Sequence, residues 1–185
     1  MRLFIASSFE QRFIETLEDI AAYARANAGR DTVKWVERRN FHLSYFFLGE
    51  LSGSGAAEAI KSVDAALEGC RAFTLSLGAL GAFPSWKNPR VLWLGFNEGV
   101  AVVRDIAEKL AQALSVRGLV FENRFEPHIT LGRVKRPLPD NFFACVADYA
   151  LSKTAVSALV SVEVMESVLA PDGPLYKQVY SRRLL

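Results

Sequence analysis

The two histidines of this chain each stand two positions before a hydroxyl residue, giving the pairs His42–Ser44 and His128–Thr130. Residues two apart on a β-strand project from the same face, so each pair would present an imidazole beside a hydroxyl. An imidazole has an ordinary pKa of about 6.5, so one ring can accept a proton while another donates one. Hydroxyl groups can hydrogen-bond phosphate oxygens. The pattern therefore predicts acid–base chemistry at a phosphate.

Two other interpretations of the histidines have less support in the sequence. A single histidine on a strand is more often structural, but two in the same motif, in corresponding halves of the chain, favour catalysis. A metal site would need further ligands, and neither histidine belongs to an HxH or HExxH motif. Cys70 and Cys145 lack CxxC spacing and are predicted to be small core residues. The sequence thus predicts neither a metal nor a cofactor.

Length and composition indicate a globular protein of ordinary type. The chain has 185 residues, of which 51% are hydrophobic and 23% charged, and its formal net charge is +2. The apolar run at residues 3–6 is too short for a signal peptide, and no stretch approaches the roughly 20 residues of a membrane span. We therefore expect a cytoplasmic protein without a membrane partner. No pattern indicates an obligate protein partner, so a monomer is expected.

Hydrophobic periodicity predicts strands and helices in alternation. In the first half, strands are predicted at 2–8, 33–36, 42–48 and 73–77, helices at 10–27 and 56–67, and a flexible turn at 51–55. In the second half, strands are predicted at 91–96, 119–121, 128–134, 160–169 and 176–184, and helices at 99–114 and 142–149. A loop with Pro84, Trp86, Asn88 and Pro89 is expected before residue 91, and a break at 171–174 separates the last two strands.

This order of elements predicts an α+β fold of two pseudo-symmetric lobes, in which antiparallel sheets are flanked by helices. Each half of the chain gives a helix, a short strand and then a histidine strand, which indicates an internal duplication. Each lobe would therefore contribute one histidine strand. No linker or change of composition divides the chain, so residues 1–185 are expected to form one bilobal domain.

Beyond the motifs themselves, the residues that flank them resemble those of a known family. The segments that carry the resemblance are residues 2–6, 35–36, 40–50, 83–84, 89–95, 127–133 and 173–176. They resemble the 2H phosphoesterase superfamily, specifically the RNA 2′,3′-cyclic phosphodiesterases, which were formerly called 2′-5′ RNA ligases. The chain departs from that family at Ser44, where Thr is commoner, and at Ser7-Ser8 after the first strand. Neither departure removes a catalytic atom.

The resemblance implies an active-site cleft between the lobes and a specific reaction. Such enzymes hydrolyse 2′,3′-cyclic phosphates of RNA ends or nucleosides to 2′-phosphomonoesters without a metal. By resemblance, His42 would donate a proton to the leaving 3′ oxygen and His128 would accept one from water. The residues themselves do not distinguish the two roles, because both motifs carry the same groups.

Arg133 matches an arginine that the family places near the phosphate, where a guanidinium could hold two phosphate oxygens together with Ser44 and Thr130. Strict alternation puts Arg133 on the opposite face from His128, so a bulge or strand end at Gly132 would be required. The alternative is a surface arginine in a basic cluster with two nearby residues, Lys135 and Arg136.

Aromatic and basic residues could bind the rest of an RNA substrate. Phe46 shares the parity of His42 and Ser44 and is a candidate for base stacking by direction, and the resemblance adds Phe4, Trp35 and Tyr176. The RNA backbone could be guided by Arg38, Arg39, Lys87, Arg90 and Arg124, although solvated surface charges are the alternative interpretation for each.

Two further functions stay open at this point. A 2′-5′ RNA ligase would run the reverse reaction in the same site, where it competes with water at roughly 55 M. A nucleotide- or RNA-binding module would have lost turnover, and the intact imidazoles and hydroxyls of both motifs argue against this.

Overall fold

The computed structural model describes residues 1–170 and 173–185, which form two antiparallel sheets flanked by helices. The first half contains β1 (Arg2–Ser7), α1 (Gln11–Asn27), β2 (Val33–Trp35), a 3₁₀ turn (Arg38–Asn40), β3 (Leu43–Glu50), α2 (Gly53–Ala66) and β4 (Phe73–Ser85). The second half contains β5 (Asn88–Glu98), α3 (Val100–Val116), β6 (Ile129–Val134), α4 (Phe142–Leu151), β7 (Val156–Leu159), β8 (Ser161–Ala170) and β9 (Gly173–Arg183). The predicted α+β class is confirmed.

Each sheet contains the strand that follows one histidine. The first sheet has the order β3-β1-β8-β9, and the second has the order β2-β6-β5-β4-β7. All neighbouring strands are antiparallel. His42 lies immediately before β3 in the first sheet, and His128 lies immediately before β6 in the second. The prediction that each lobe contributes one histidine strand is therefore confirmed.

The helices bury one apolar stripe each against the sheets and against one another. Helix α1 buries residues at spacings of three and four, namely Phe13, Leu17, Ile20, Ala21 and Ala24. It packs against α4, and α2 packs against α3. At the start of α2, the Ser52 hydroxyl accepts a hydrogen bond from the Gly55 amide at 3.1 Å. This helix begins at Gly53, inside the segment 51–55 that the sequence predicts to be a turn.

The loop predicted before residue 91 is instead a long hairpin. Strands β4 and β5 run to Ser85 and from Asn88, so only Trp86 and Lys87 form the turn. Strand β6 pairs with β5 only from Val91 to Leu94, so the hairpin tip extends beyond the sheet. Near the tip, two prolines lie opposite each other and are tolerated because no third strand needs their missing amides.

The two lobes do not correspond to the two halves of the chain, as a simple internal duplication would require. The first sheet combines β1 and β3 with β8 and β9, which come from opposite ends of the sequence. The strand predicted at 119–121 does not form, and β7 was not predicted. Of the break predicted at 171–174, residues 171 and 172 lie outside the described part of the chain.

Two smaller expectations concern the cysteines and the membrane. Cys70 and Cys145 are free thiols and are only partly buried, at the edge of the core. Across residues 1–170 and 173–185, no helix has both the length and the apolar character that a membrane crossing requires.

Candidate active site

The two histidine motifs meet in a cleft between the sheets. The cleft has a volume of about 220 Å³, and all four motif side chains line it, His42 and Ser44 from one lobe and His128 and Thr130 from the other. Each of these side chains is half-buried, so it is held by the protein while one side faces the cleft. The parity argument from the sequence thus places both imidazole–hydroxyl pairs correctly.

Both imidazoles are anchored in the same way. The Nδ1 atom of His42 lies 2.7 Å from the carbonyl oxygen of Asn40, and that of His128 lies 2.6 Å from the carbonyl oxygen of Glu126. A carbonyl oxygen only accepts, so Nδ1 donates in each case and Nε2 carries the lone pair of the neutral ring. Each histidine therefore keeps Nε2 available for proton transfer to or from a ligand.

Aromatic side chains hold each ring on two sides. His42 packs against Phe4 and Tyr176, with ring centroids 5.2 Å apart in both contacts. His128 packs edge-on against Phe83 at 5.1 Å and against Trp93 at 6.2 Å. These contacts restrict rotation about the side-chain bonds, so the orientation of Nε2 is set before a ligand binds.

Burial is the main influence on the charge of both rings, and it lowers the pKa of each below its ordinary value. The hydrogen bond to the Asn40 carbonyl partly opposes this for His42, and the charge of His128 lowers its pKa further. For His128, both the carbonyl and the carboxylate of Glu126 oppose the effect of burial. The surroundings therefore favour proton release from His42 and give His128 a carboxylate that stabilises its protonated form.

These directions give an expected pH dependence for the two-histidine reaction. The proton acceptor must be neutral, so kcat/KM rises through its pKa, and the donor must be protonated, so kcat/KM falls through its pKa. Both free-enzyme pKa values lie below the ordinary value of about 6.5, so the maximum of kcat/KM should fall on the acidic side of that value. A bell-shaped profile measured at subsaturating substrate with its maximum below that value would show this, whereas a maximum above it would contradict it.

A β-bulge follows the hydroxyl residue in each motif strand. In β3, Ser44 pairs with Ala6 and Phe46 pairs with Ile5, so Tyr45 has no partner on β1. The extra residue shifts the alternation of side chains by one position. As a result Phe47, five residues after His42, lines the cleft.

The bulge in β6 has the same position relative to its histidine. Thr130 pairs with Trp93 and Gly132 with Leu92, so Leu131 has no partner on β5. Arg133, five residues after His128, consequently lines the cleft. This bulge is the irregularity near Gly132 that the sequence required for Arg133 to reach the cleft. The positive charge of Arg133 acts on Tyr176 across the cleft, where it partly offsets the rise in the tyrosine pKa caused by burial.

Glycines allow the close packing behind this strand. A Cβ atom on Gly132 would lie 2.5 Å from Cγ1 of Val33 on the neighbouring strand β2. A Cβ on Gly81 would lie 2.2 Å from Cζ2 of Trp93, the residue that supports His128. Both distances are far shorter than van der Waals contact, so neither site accepts a side chain without movement.

Substitution of Gly81 by alanine should therefore destabilise the protein. Crowding of this kind typically costs about 1–3 kcal/mol of unfolding free energy, and a displaced Trp93 ring would also reduce kcat by moving His128. Urea unfolding and turnover measured on Gly81→Ala would test this. Gly53→Ala is the matched control, because its Cβ would meet nothing within 4 Å. Equal stability of the two variants would contradict the expectation.

Similarity to known proteins identifies the family of this chain. The chain is 30% identical over 179 residues to the RNA 2′,3′-cyclic phosphodiesterase of Archaeoglobus fulgidus, covering 97% of this chain and 98% of that protein. Residues 9–93 match the family described as LigT like Phosphoesterase, a range that includes the first motif. The chain belongs to the LigT-like phosphoesterase family.

Two further comparisons of this LigT-like phosphoesterase extend the agreement. It is 34% identical over 146 residues to the RNA 2′,3′-cyclic phosphodiesterase of Thermotoga maritima, covering 79% of this chain and 76% of that one. Its fold is similar to that of a Thermus thermophilus protein of known crystal structure, with a TM-score of 0.79. That likeness has 22% sequence identity and covers 100% of this chain and 98% of the other, so it supports the fold alone.

The prediction that Phe46 of this LigT-like phosphoesterase lies in the cleft and stacks on a base is wrong. Its side chain is only 2% exposed and packs in the core against Phe121 and Phe125, at 4.8 and 6.2 Å between ring centroids. The bulge at Tyr45 reverses the alternation on which the prediction depended. Phe47, which is 63% exposed, takes the predicted place on the cleft wall.

The other aromatic predictions have mixed outcomes. Trp35 and Tyr176 line the cleft as expected, and the Arg25 guanidinium lies 5.9 Å from the Trp35 ring. Phe4 is 2% exposed and lies beneath the cleft, where it packs against His42, Tyr176 and Phe47. It therefore supports His42 and offers no surface to a base.

Several residues of the cleft were not predicted from the sequence. They are Lys34, Val36, Glu37, Asn40, Phe47, Gly173 and Pro174. Asn40 is 7% exposed, and its amide Nδ2 donates to the Pro174 carbonyl at 3.0 Å while its own carbonyl accepts from His42. It thus ties the start of β9 to the first histidine. In the sequence, only the position of Asn40 two residues before His42 could have indicated this role.

The basic residues proposed to guide RNA lie outside the cleft. Arg38 forms an ion pair with Glu15 at 3.5 Å and Arg39 with Glu37 at 2.8 Å, so both are partly neutralised. The remaining three, Lys87, Arg90 and Arg124, are exposed and do not line the cleft. Within the described residues, no group of three or more histidine, cysteine or acidic side chains is arranged to hold a metal ion.

Proposed function

We propose that this protein is an RNA 2′,3′-cyclic phosphodiesterase that opens the cyclic phosphate to a 2′-phosphomonoester by metal-independent acid–base catalysis. The observation that carries the proposal is the shared cleft, in which two imidazoles have Nδ1 tied to a carbonyl and Nε2 available. The curated relatives in Archaeoglobus fulgidus and Thermotoga maritima carry the name of this activity. The substrates would be RNA ends or nucleoside 2′,3′-cyclic phosphates.

In the proposed reaction, one imidazole accepts a proton from water and the other donates a proton to the leaving oxygen. Neutral His128 accepts a proton from water as its oxygen bonds to phosphorus, and protonated His42 donates a proton to the 3′ oxygen as the P–O3′ bond breaks. The family resemblance assigns these roles, and the electrostatics support them. A lowered pKa makes His42 a stronger acid, and the Glu126 carboxylate favours the protonated His128 that the reaction creates.

The remaining polar groups of the cleft would hold the phosphate. The hydroxyls of Ser44 and Thr130 can donate to its non-bridging oxygens, one from each lobe. The Arg133 guanidinium can form two charge-assisted hydrogen bonds and offset negative charge that develops in the transition state. Positive charge for the phosphate would thus come from a guanidinium and an imidazolium, which is the basis for proposing a reaction without a metal.

Aromatic side chains at the cleft would contact the nucleoside. Phe47, Trp35 and Tyr176 surround the two histidine motifs and offer ring surfaces to a base or ribose. Base–aromatic stacking is worth about 1–3 kcal/mol per base in single-stranded recognition. These contacts would anchor the terminal nucleoside while the phosphate reacts.

The direct test uses purified protein treated with EDTA and the four nucleoside 2′,3′-cyclic monophosphates. We expect conversion to 2′-monophosphates, identified by comparison with 2′- and 3′-monophosphate standards. Turnover that requires added metal would refute the metal-independent part. Tight RNA binding without turnover would favour a binding module, and joining of the cyclic phosphate to a 5′-hydroxyl would favour a ligase. Size-exclusion chromatography of the same sample tests the expected monomer.

A further inference from the structure

A second groove involves strand β6, which also lines the catalytic cleft. It has a volume of about 500 Å³ and lies between the tip of the β4–β5 hairpin, the segment after β6 and the start of α4. The groove and the cleft share no lining residue, but consecutive residues of β6 line them: Arg133 lines the cleft and Val134 lines the groove.

An exposed tryptophan forms one wall of the groove. Trp86 occupies the two-residue turn of the hairpin and is 46% exposed. Its ring packs on one side against Phe143 of α4, with centroids 4.6 Å apart. The contact with Phe143 restricts movement of the indole, and the rest of the ring faces solvent. An exposed aromatic surface supported on one side in this way suits stacking against a nucleic-acid base.

The groove also carries positive charge that is not neutralised. Lys87, Lys135 and Arg136 line it, and within residues 1–170 and 173–185 none of them forms an ion pair. Asp140 is the acidic residue among the described residues that line it. The backbone amides of Lys135 and Arg136 both donate to the Thr32 carbonyl, at 2.7 and 3.2 Å. These bonds hold the backbone of both basic residues next to the start of β2.

The position of these cations defines a path for an RNA strand. Lys135 follows Arg133 by two residues, which corresponds to about 7 Å along an extended strand. A cleft of about 220 Å³ is too small for more than the terminal nucleotide, so the rest of an RNA must continue over the surface. On the side of Arg38 and Arg39, the basic side chains are paired with acids. The β6 side offers positive charge without such pairing, together with an aromatic surface.

We propose that the groove formed by Trp86, Lys87, Lys135 and Arg136 binds the RNA nucleotides on the 5′ side of the cyclic phosphate. This inference rests on the proposed phosphodiesterase function. The phosphates next to the terminal nucleotide contact Lys135 and Arg136, and a base further along the strand stacks on Trp86. The groove makes an oligonucleotide a better substrate than a nucleoside cyclic phosphate, without any change to the chemistry in the cleft.

The test compares two substrates on the same variants: a nucleoside 2′,3′-cyclic monophosphate and an unstructured tetranucleotide that ends in a 2′,3′-cyclic phosphate. For the tetranucleotide, Trp86→Ala should raise KM by about 5- to 100-fold and leave kcat unchanged. The double variant Lys135→Ala/Arg136→Ala should raise the same KM and weaken its dependence on salt concentration. For the mononucleotide, both variants should retain the KM and kcat of the unaltered protein.

Two control variants separate binding from general effects on the fold. Trp86→Phe keeps an aromatic ring and should retain most of the preference for the tetranucleotide. Arg71→Ala removes an exposed arginine that lines neither the cleft nor the groove and should change neither substrate's kinetics. A tetranucleotide KM equal to that of the mononucleotide, or unchanged in Trp86→Ala, would overturn the inference. Failure of the unaltered protein to hydrolyse either substrate would instead refute the proposed function.

Discussion

Replacement of either cleft histidine by alanine is expected to lower kcat by about 10²–10⁴-fold, the usual contribution of a positioned acid or base. His42 and His128 both line the cleft with Nδ1 bonded to a carbonyl, which leaves Nε2 for proton transfer, and no other histidine exists in the chain to replace them. The double variant should lose less than the product of the two single effects, because both groups act in one transition state. Single-turnover kinetics with a nucleoside 2′,3′-cyclic monophosphate would measure this.

A substrate with a good leaving group distinguishes the two roles. An aryl phosphodiester that releases nitrophenolate needs no proton on the departing oxygen, so loss of the acid costs little with this substrate. We expect His42→Ala to approach the rate of the unaltered protein on the aryl ester, and His128→Ala to stay slow. The reverse result would exchange the roles. Thermal unfolding of each variant serves as the control for folding, and unchanged turnover in either one would refute the mechanism.

Replacement of Arg133 by alanine is expected to lower kcat/KM by about 10²–10³-fold, comparable to the loss of one donor that stabilises transition-state charge. The guanidinium reaches the cleft because of the bulge at Leu131, and within the described residues it forms no ion pair that would neutralise it. Lysine keeps the charge but cannot form two parallel hydrogen bonds, so Arg133→Lys should recover only part of the activity.

The control for Arg133 is a matched arginine elsewhere on the surface. Arg71→Ala changes the net charge equally but touches neither the cleft nor the groove beside it, so it should retain full activity. A similar loss in both variants would point to a general electrostatic effect. Full activity in Arg133→Ala would show that the arginine is only a surface charge, which was the alternative interpretation of its sequence context.

The histidine pair and its hydroxyls could be predicted from sequence because a period of two residues is a local property of strands. The same rule failed a few residues further along. Phe46 was assigned to the cleft and Phe47 was missed, because a bulge depends on how β3 pairs with β1, about 40 residues away in the chain. Arg133 was placed correctly only by combining the family resemblance with the required irregularity near Gly132.

The overall architecture was predictable in class but not in connectivity. Alternation of apolar residues located most strands, whereas the joining of β1 and β3 with β8 and β9 depends on long-range hydrogen bonds that leave no local pattern. The hairpin tip was predicted as a loop because of Pro84 and Pro89, and tolerance of prolines there depends on the absence of a third strand beside them. The second groove could not be predicted from the sequence for the same reason, because the hairpin tip forms one of its walls.

The two bulges place different chemistry at equivalent positions of a nearly symmetric cleft. An imidazole and a hydroxyl repeat on both walls, so by themselves these groups would accept a cyclic phosphate in either of two orientations. The fifth residue after each histidine removes that equivalence, because Phe47 makes one wall apolar and Arg133 makes the other cationic. A cyclic nucleotide has a flat base on one side and an anion on the other, so the two walls would select a single orientation of the proposed substrate. In the proposed reaction, two residues outside the acid–base pair would thus set the regiochemistry of ring opening, which decides whether the 2′ or the 3′ oxygen keeps the phosphate.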